Sequence, residues 1–241
     1  MPTMDFEVYL QTNAPPDERA AALADLLRAE DAAGIQYPVI MPSPTPRPDN
    51  QALYESARQE ARAILCCQVN PNNADAFEEI ERAVREWGMK MLKIMPAIYN
   101  VHMTGPLASR LMSLARDLGI VVNIHSGSEI SHPLAIGALC RRFPNVPVVM
   151  DHMGYREWSA DAVEAARDNP NLYLGTTVAS FEGPVIKRAV QQLGAERVIY
   201  GSNWPLLESD LAVESIRRQK LGAEAEALIF GGNLDRLLGM E

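Results

Sequence analysis

The stretch that decides the reading of this chain opens as I-V-V-N-I-H-S-G (120–127) and closes as V-P-V-V-M-D-H-M-G-Y (146–155). Both ends are short apolar runs rich in β-branched residues, and each runs into a histidine followed closely by a glycine. The segment between them, roughly 130–142, has the length and pattern of a helix. Strand, helix and strand at this spacing make a βαβ unit with parallel strands and a right-handed crossover. His125 and His152 then arrive at the same carboxyl edge of one sheet, where ligands of α/β proteins bind. Imidazoles at that edge are candidates for metal ligation or acid–base work. A strand-end histidine can also simply bond backbone; two in register, each close to a glycine, favour the functional reading.

Outward from this unit, strand and helix patterns alternate along the chain. Upstream, strands are expected over 5–10, 37–41, 63–69 and 89–95, with helices over 17–34, 51–62, 74–87 and 107–118. Pro16-Asp17 starts the first helix and Gly34 ends it, as Gly88 and Gly119 end two others. The second strand runs into P-S-P-T-P-R-P (42–48), a stiff extended loop, and the connection through Tyr99 and His102 to Gly105 is the least regular segment. Downstream come a helix over 159–168, a strand over 171–177, a helix over 184–193, a strand over 197–202 and a helical tail broken at Gly231-Gly232. Eight strands, each followed by a helix or a helix-length connection, predict an all-parallel sheet. Eight units in 241 residues fit a closed (β/α)8 TIM barrel better than a doubly wound sheet of five or six strands. The whole chain, 1–241, reads as a single domain.

The composition is that of a globular protein, 47% hydrophobic and 22% charged, and the net charge of −9 argues against a nucleic-acid-binding face. No basic, apolar leader opens the chain and no apolar stretch reaches bilayer length. A cytoplasmic protein without membrane association is therefore expected. Cys66, Cys67 and Cys140 lie in apolar or helical runs and are expected to be buried free thiols. The expected partner is a small-molecule substrate, and an acidic barrel of this size is compatible with a homodimer.

Candidate site residues follow from the strand ends: Glu7 and Tyr9, Asn70, Lys93, His125, His152, Thr176-Thr177 and Asn203. Alternation puts Glu7 and Tyr9 on one side with Asp5 a layer deeper, and puts Val121, Asn123 and His125 on one face. The same rule pairs Met150 with His152 and turns Asp151 away from the site. Lys93 sits in an apolar strand and needs a partner. That partner is either an ion pair in the barrel mouth, with Glu7, or a substrate carboxylate. Arg156, in the loop after His152, has the fork geometry for a carboxylate, and Tyr9 completes the substrate-binding candidates. His102 and His132 are weaker candidates, in a loop and at a helix start.

Four motifs then resemble a known family: G-M-K-M-L-K-I-M-P-A (88–97), the histidine pair I-H-S-G and M-D-H-M-G, R-V-I-Y-G-S-N-W-P (197–205) and G-N-L-D-R-L-L-G (232–239). Together they resemble the amidohydrolase superfamily and, more closely, its amidohydrolase-related (amidohydrolase-2) family of TIM-barrel hydrolases and decarboxylases. The D-H-M-G form is similar to the branch of dicarboxylate and sugar lactonases, some of which work without metal. The resemblance implies two metal-binding histidines in D-x-H-x-H on the first strand and a metal-binding, water-activating aspartate in G-S-D-W-P on the last. Here Glu7 and Tyr9 stand at the two histidine positions and Asn203 at the aspartate position.

The resemblance thus implies a divalent ion, zinc or manganese, held by Glu7 and His125. His152 would polarise a carbonyl, Glu7 would act as base, and Asn203, which cannot take up a proton, would orient water or substrate. Three readings follow. One is a hydrolase or decarboxylase of a small lactone, amide or carboxylic acid. The second is a metal-independent lactonase, and the third is a barrel without catalysis that binds a small molecule or a partner protein.

Overall fold

The computed structural model describes residues 1–181 and 183–240. Eight parallel strands follow one another around a sheet in sequence order: β1 (Met4–Leu10), β2 (Tyr37–Pro42), β3 (Ile64–Gln68), β4 (Met91–Ile94), β5 (Val121–Ile124), β6 (Val148–Met150), β7 (Leu172–Gly175) and β8 (Val198–Ile199). Beyond β8 the chain closes the ring against β1. Phe6 N donates to Tyr200 O at 3.1 Å, Asn203 N to Glu7 O at 3.0 Å and Tyr9 N to Trp204 O at 2.9 Å. The expected TIM barrel is the fold, with helices between the strands.

Alternation along each strand divides the apolar residues into two layers. Ile40, Leu65, Leu92, Val122, Ile124, Val148 and Met150 pack with the helices outside the barrel. Val39, Met41, Ile64, Cys66, Met91, Val121, Val149 and Ile199 fill its interior. The helix Pro106–Leu118 shows how the outer layer forms: Ala108, Leu111, Met112 and Ala115 recur at helical spacing and are buried, and Gly119 ends the helix in a left-handed conformation. All three cysteines are buried and free, as expected. Among the described residues no helix is long and apolar enough to cross a membrane.

Two local departures shape the site. In β1 the pairing register shifts between Asp5 and Val8, a bulge that sends Phe6 and then Glu7 into the barrel. Asp5 is therefore not a layer beneath Glu7. Its carboxylate accepts from Glu7 N and Ser202 N, both at 2.9 Å, and so pins the seam between β1 and the segment after β8. The Phe6 ring needs space in the interior, and Gly175 and Gly201 supply it: a Cβ on either would stand 2.4 or 2.5 Å from that ring. The second departure is in β6, which ends at Met150. Residues 151–154 form a tight turn, and the next helix begins at Tyr155 rather than at 159.

Outside the barrel, Glu30 of the helix Pro16–Ala33 is fully buried and accepts a hydrogen bond from Ser209 Oγ, while its second oxygen has no partner among the described residues. Burial pushes its carboxyl up to about 7, against the pull of the Ser209 bond and Arg62. The native state then binds a proton that the unfolded chain releases near 4.5, so Glu30 contributes a loss of stability as pH rises through that window. Glu30→Gln should remove this loss. In urea titrations the variant should gain on wild type between pH 5 and pH 8 by on the order of 3 kcal/mol at most.

Candidate active site

Lys93 lies inward on β4, and its side chain and those of Glu7 and Asp151 are wholly shielded from solvent. Its ammonium donates to Glu7 Oε2 at 2.7 Å and to Asp151 Oδ2. Glu7 also accepts from Asn123 Nδ2 at 2.7 Å and from the Tyr9 hydroxyl at 2.9 Å. Every partner of Glu7 is a donor, which is the pattern of an ionised carboxylate. Burying such ions costs several kcal/mol each, and only mutual attraction with near-complete hydrogen bonding offsets it. Desolvation works against the charge on Lys93, but Asp151 and Glu7 outweigh it and raise its pKa above the ordinary lysine value. Burial raises Glu7, with Lys93 opposing.

Asp151 joins this cluster to the histidines. Its Oδ1 accepts from Ser126 N at 2.8 Å, and its Oδ2 lies 3.4 Å from His125 Nδ1 and 3.5 Å from His152 Nε2. Burial alone would raise its pKa, but His152, Lys93 and His125 hold its carboxyl well below the usual carboxylate range. His152 Nε2 and His125 Nδ1 are 3.0 Å apart, and His152 Nδ1 is 2.7 Å from Thr177 Oγ1. Burial pushes the His152 imidazole down to about 3 despite Asp151, so at neutral pH it is uncharged. One proton is then shared across the contact between the two rings, and Asp151 faces it from the side.

The backbone here is strained where the side chains converge. His152, Met153, Tyr155 and Asn203 all have positive φ, between 50° and 68°, at a cost of roughly 1–3 kcal/mol each. The left-handed turn after β6 swings His152 round to His125. Tyr155 is held over the pair, its ring centroid 4.7 Å from that of His152 and 6.3 Å from that of His125. Gly127, at φ +92°, makes room for it, because a Cβ there would stand 1.8 Å from the Tyr155 ring.

His125 and His152 form the floor of a cavity of about 590 Å³ at the carboxyl end of the barrel. Tyr9, Gln11, Ser43 and Asn203 contribute its polar lining, and Pro44, Met95, Pro205 and Leu206 much of its apolar wall. The Asn203 amide faces this space with no protein partner among the described residues. The proline-rich loop after β2 contributes Ser43 and Pro44 to one wall. No described residue of the Tyr99–Gly105 connection lines the cavity; Tyr99 is buried against Gln68 and Thr45.

Of the residues singled out from sequence, the barrel brings Tyr9, His125, His152 and Asn203 to the cavity. Glu7 and Lys93 lie beneath it, bonded to one another and shielded from solvent, and neither is among its lining residues. Arg156 is exposed and is not among the residues that line the cavity. His132 caps a helix, accepting from Leu134 N at 3.3 Å, and lies 3.2 Å from Asp161. Asp151 corrects the alternation drawn from sequence. The inward residues of β6 are Val149 and, two further on, Asp151, while Met150 packs outside. The signal was there: the apolar side chain at 149 sets the same parity as Asp151.

A metal ion would likewise fall to a different set of ligands. His125, Asp151 and His152 offer two imidazole nitrogens and a carboxylate oxygen within 4.8 Å of one another, a donor set that suits zinc or manganese. Glu7 is not part of it, since both its oxygens are already bonded. The Asp151 oxygen that would face an ion is the one to which Lys93 donates, so ion and ammonium would share it.

An amidohydrolase family model matches residues 10–240. The chain belongs to this family. It is 24% identical, over 233 residues covering 83% of this chain and 79% of the other, to an L-fucono-1,5-lactonase of Burkholderia ambifaria. An uncharacterised TIM-barrel protein of Bordetella bronchiseptica superposes with a TM-score of 0.83 at 19% identity, covering 99% of each chain. A dihydroxybenzoic acid decarboxylase of a Polaromonas species, solved with manganese and the inhibitor 2-nitroresorcinol, superposes at 0.75 with 15% identity, covering 99% of this chain and 97% of that one. At these identities the two structures establish the shared barrel.

Two outcomes test this geometry. Gly127→Ala should displace the Tyr155 ring and lower stability by roughly 1–3 kcal/mol, read from the denaturation midpoint and the change in tyrosine environment by near-ultraviolet circular dichroism. In equilibrium dialysis with manganese, wild type should take up one ion per chain, and Asp151→Asn should lose most of that uptake while Arg156→Ala should not.

Proposed function

We propose that this protein hydrolyses small cyclic esters, opening a lactone to its hydroxy acid. The observation that carries this reading is the orientation of His125. Its Nδ1 is turned inward to Asp151 and His152, which leaves Nε2 for the cavity that Asn203 also lines, and the Asn203 amide has no partner among the described residues. A base and a hydrogen-bond donor facing one space are what acyl transfer to water requires. The similarity to a lactonase supports the same choice.

In the proposed reaction Asn203 donates its side-chain N–H to the lactone carbonyl oxygen, where negative charge develops. His125 Nε2 takes a proton from the attacking water as the water oxygen bonds to the carbonyl carbon. The ring C–O bond then breaks, and the proton held by His125 passes to the departing alkoxide oxygen. Asp151, kept ionised by its surroundings, stabilises the imidazolium between these steps. His152 fixes the plane of His125 through their shared hydrogen bond. A divalent ion held by His125, Asp151 and His152 would replace the proton between the rings and supply polarisation of the carbonyl in place of the base, because His125 would then carry its hydrogen on Nε2. Glu7 and Lys93 act from beneath, as the support that keeps Asp151 charged and in place.

The test is ring opening followed by proton release in weakly buffered solution, with and without added zinc or manganese. His125→Ala should lower kcat by about 10²–10⁴-fold. Asn203→Ala should lower kcat by roughly 10²-fold with a smaller change in KM, because its hydrogen bond strengthens in the transition state. Rates equal to buffer for a broad set of lactones under both conditions would overturn the hydrolase reading and leave a ligand-binding barrel.

A further inference from the structure

We propose that Tyr155 is a positioning residue of this site: its ring, carried by a backbone conformation proper to glycine, sets the plane of His152 and, through it, that of His125. Its part in turnover rests on the lactonase reading of the reaction, whereas the placement of the imidazoles stands on geometry alone.

The first observation is the backbone at the head of the helix Tyr155–Asp168. Tyr155 has φ 52° and ψ −168°, a region that essentially only glycine enters without strain. Glycine at this position would relieve the turn, and the chain does use glycine one residue earlier, where Gly154 has φ +76°. A tyrosine kept in such a conformation points to a task for its side chain. The Tyr155 N–H donates to His152 O, so the strained residue is tied to the one its ring faces.

The second observation lies in the loop after β5. Gly127 has φ +92°, and a Cβ there would stand 1.8 Å from Tyr155 Cδ2 and 2.3 Å from Tyr155 Cε2. The ring thus fills the space of a side chain missing from another loop. Two concessions of the backbone, one after β5 and one after β6, converge on a single ring.

The third observation is what that ring meets. His152 Nδ1 lies 2.7 Å from Thr177 Oγ1, and His152 Nε2 lies 3.0 Å from His125 Nδ1. These two contacts fix an axis through the imidazole nitrogens, but do not by themselves stop the ring from rocking about it. A contact on the face of the ring does. Tyr155 supplies it, with centroids 4.7 Å apart and planes 38° apart, within the range of aromatic contact. His125 meets His152 edge-on, at 4.6 Å and 80°. A rocking His152 would swing the in-plane hydrogen or lone pair of each nitrogen away from its partner, and hydrogen bonds weaken steeply as they bend. His125 would then lose the contact that orients it toward the cavity.

The test compares Tyr155→Phe, Tyr155→Ala and Tyr155→Gly with wild type. Nitrogen-15 spectra of the imidazoles, recorded at neutral pH in the presence of a metal chelator, read the placement without any turnover. In wild type and Tyr155→Phe, which keeps the ring, His152 should show one tautomer, its two nitrogens resonating far apart. In Tyr155→Ala and Tyr155→Gly the two signals should draw together as both tautomers are sampled. With a lactone that wild type hydrolyses, these two variants should lower kcat on the order of 10²-fold with a smaller change in KM, and Tyr155→Phe should stay near wild type. Both lack the ring, but only glycine relieves the backbone, so Tyr155→Gly should unfold at higher urea than Tyr155→Ala. It also carries the comparison if the alanine variant folds poorly.

Unaltered imidazole signals in Tyr155→Ala and Tyr155→Gly would overturn the proposal, as would a Tyr155→Phe spectrum that matches theirs. A rise in KM at constant kcat would do the same, reducing Tyr155 to a wall of the cavity. Equal or lower stability of Tyr155→Gly would remove the strain on which the first observation rests. Imidazole signals that depend on the ring in a protein that opens no lactone uphold the positioning role and reject the hydrolase reading. Turnover with signals indifferent to the ring does the reverse.

Discussion

The ion cluster of Glu7, Lys93 and Asp151 is the constraint on which the site depends. It joins β1, β4 and the turn after β6 across the interior of the barrel, in a place where water does not reach. Removing one member would leave another charge buried without a partner, a change that typically costs 3–5 kcal/mol. Asn123, Tyr9 and Ser126 N complete the bonding, so the cluster also fixes the side chains or backbone of β5 and the loop beyond it. The two histidines rest on this layer. Their geometry follows from the position of one carboxylate, Asp151, which the cluster holds ionised.

Strain at the mouth is what this anchoring sustains. A histidine, a methionine and a tyrosine in left-handed conformation within four residues would relax if the turn were free. Asp151 O, accepting from Ser126 Oγ, and Ser126 Oγ, accepting from Gly154 N at 3.0 Å, tie the turn to the end of β5. The left-handed Asn203 is held in the same manner by the bond from its N–H to Glu7 O. Local conformations that are unfavourable by themselves are thereby fixed by contacts between distant parts of the chain.

That division explains how much could be read from the sequence. The barrel was legible because each strand and helix announces itself locally, through periodicity, glycine ends and prolines. The meeting of His125 and His152 was legible because one βαβ unit determines it. Asp151 was misread because the strand was assumed to run regularly through His152, whereas it ends at Met150 and turns. Glu7 and Lys93 were identified as a pair, but their depth was not visible, since depth depends on the bulge in β1 and on closure against the segment after β8.

The bulge has a consequence for how such a chain can change. Phe6 enters the barrel only because positions 175 and 201 lack side chains, and these three residues lie on β1, on β7 and in the segment just after β8. A larger residue at either glycine demands a smaller one at position 6, and a smaller residue at 6 leaves a void unless 175 or 201 grows to fill it. Viable substitutions at these positions must therefore come in matched sets. Because Glu7 follows Phe6 into the interior, a mismatched change would be felt first not in the apolar core but in the placement of the carboxylate that steadies the whole charged layer.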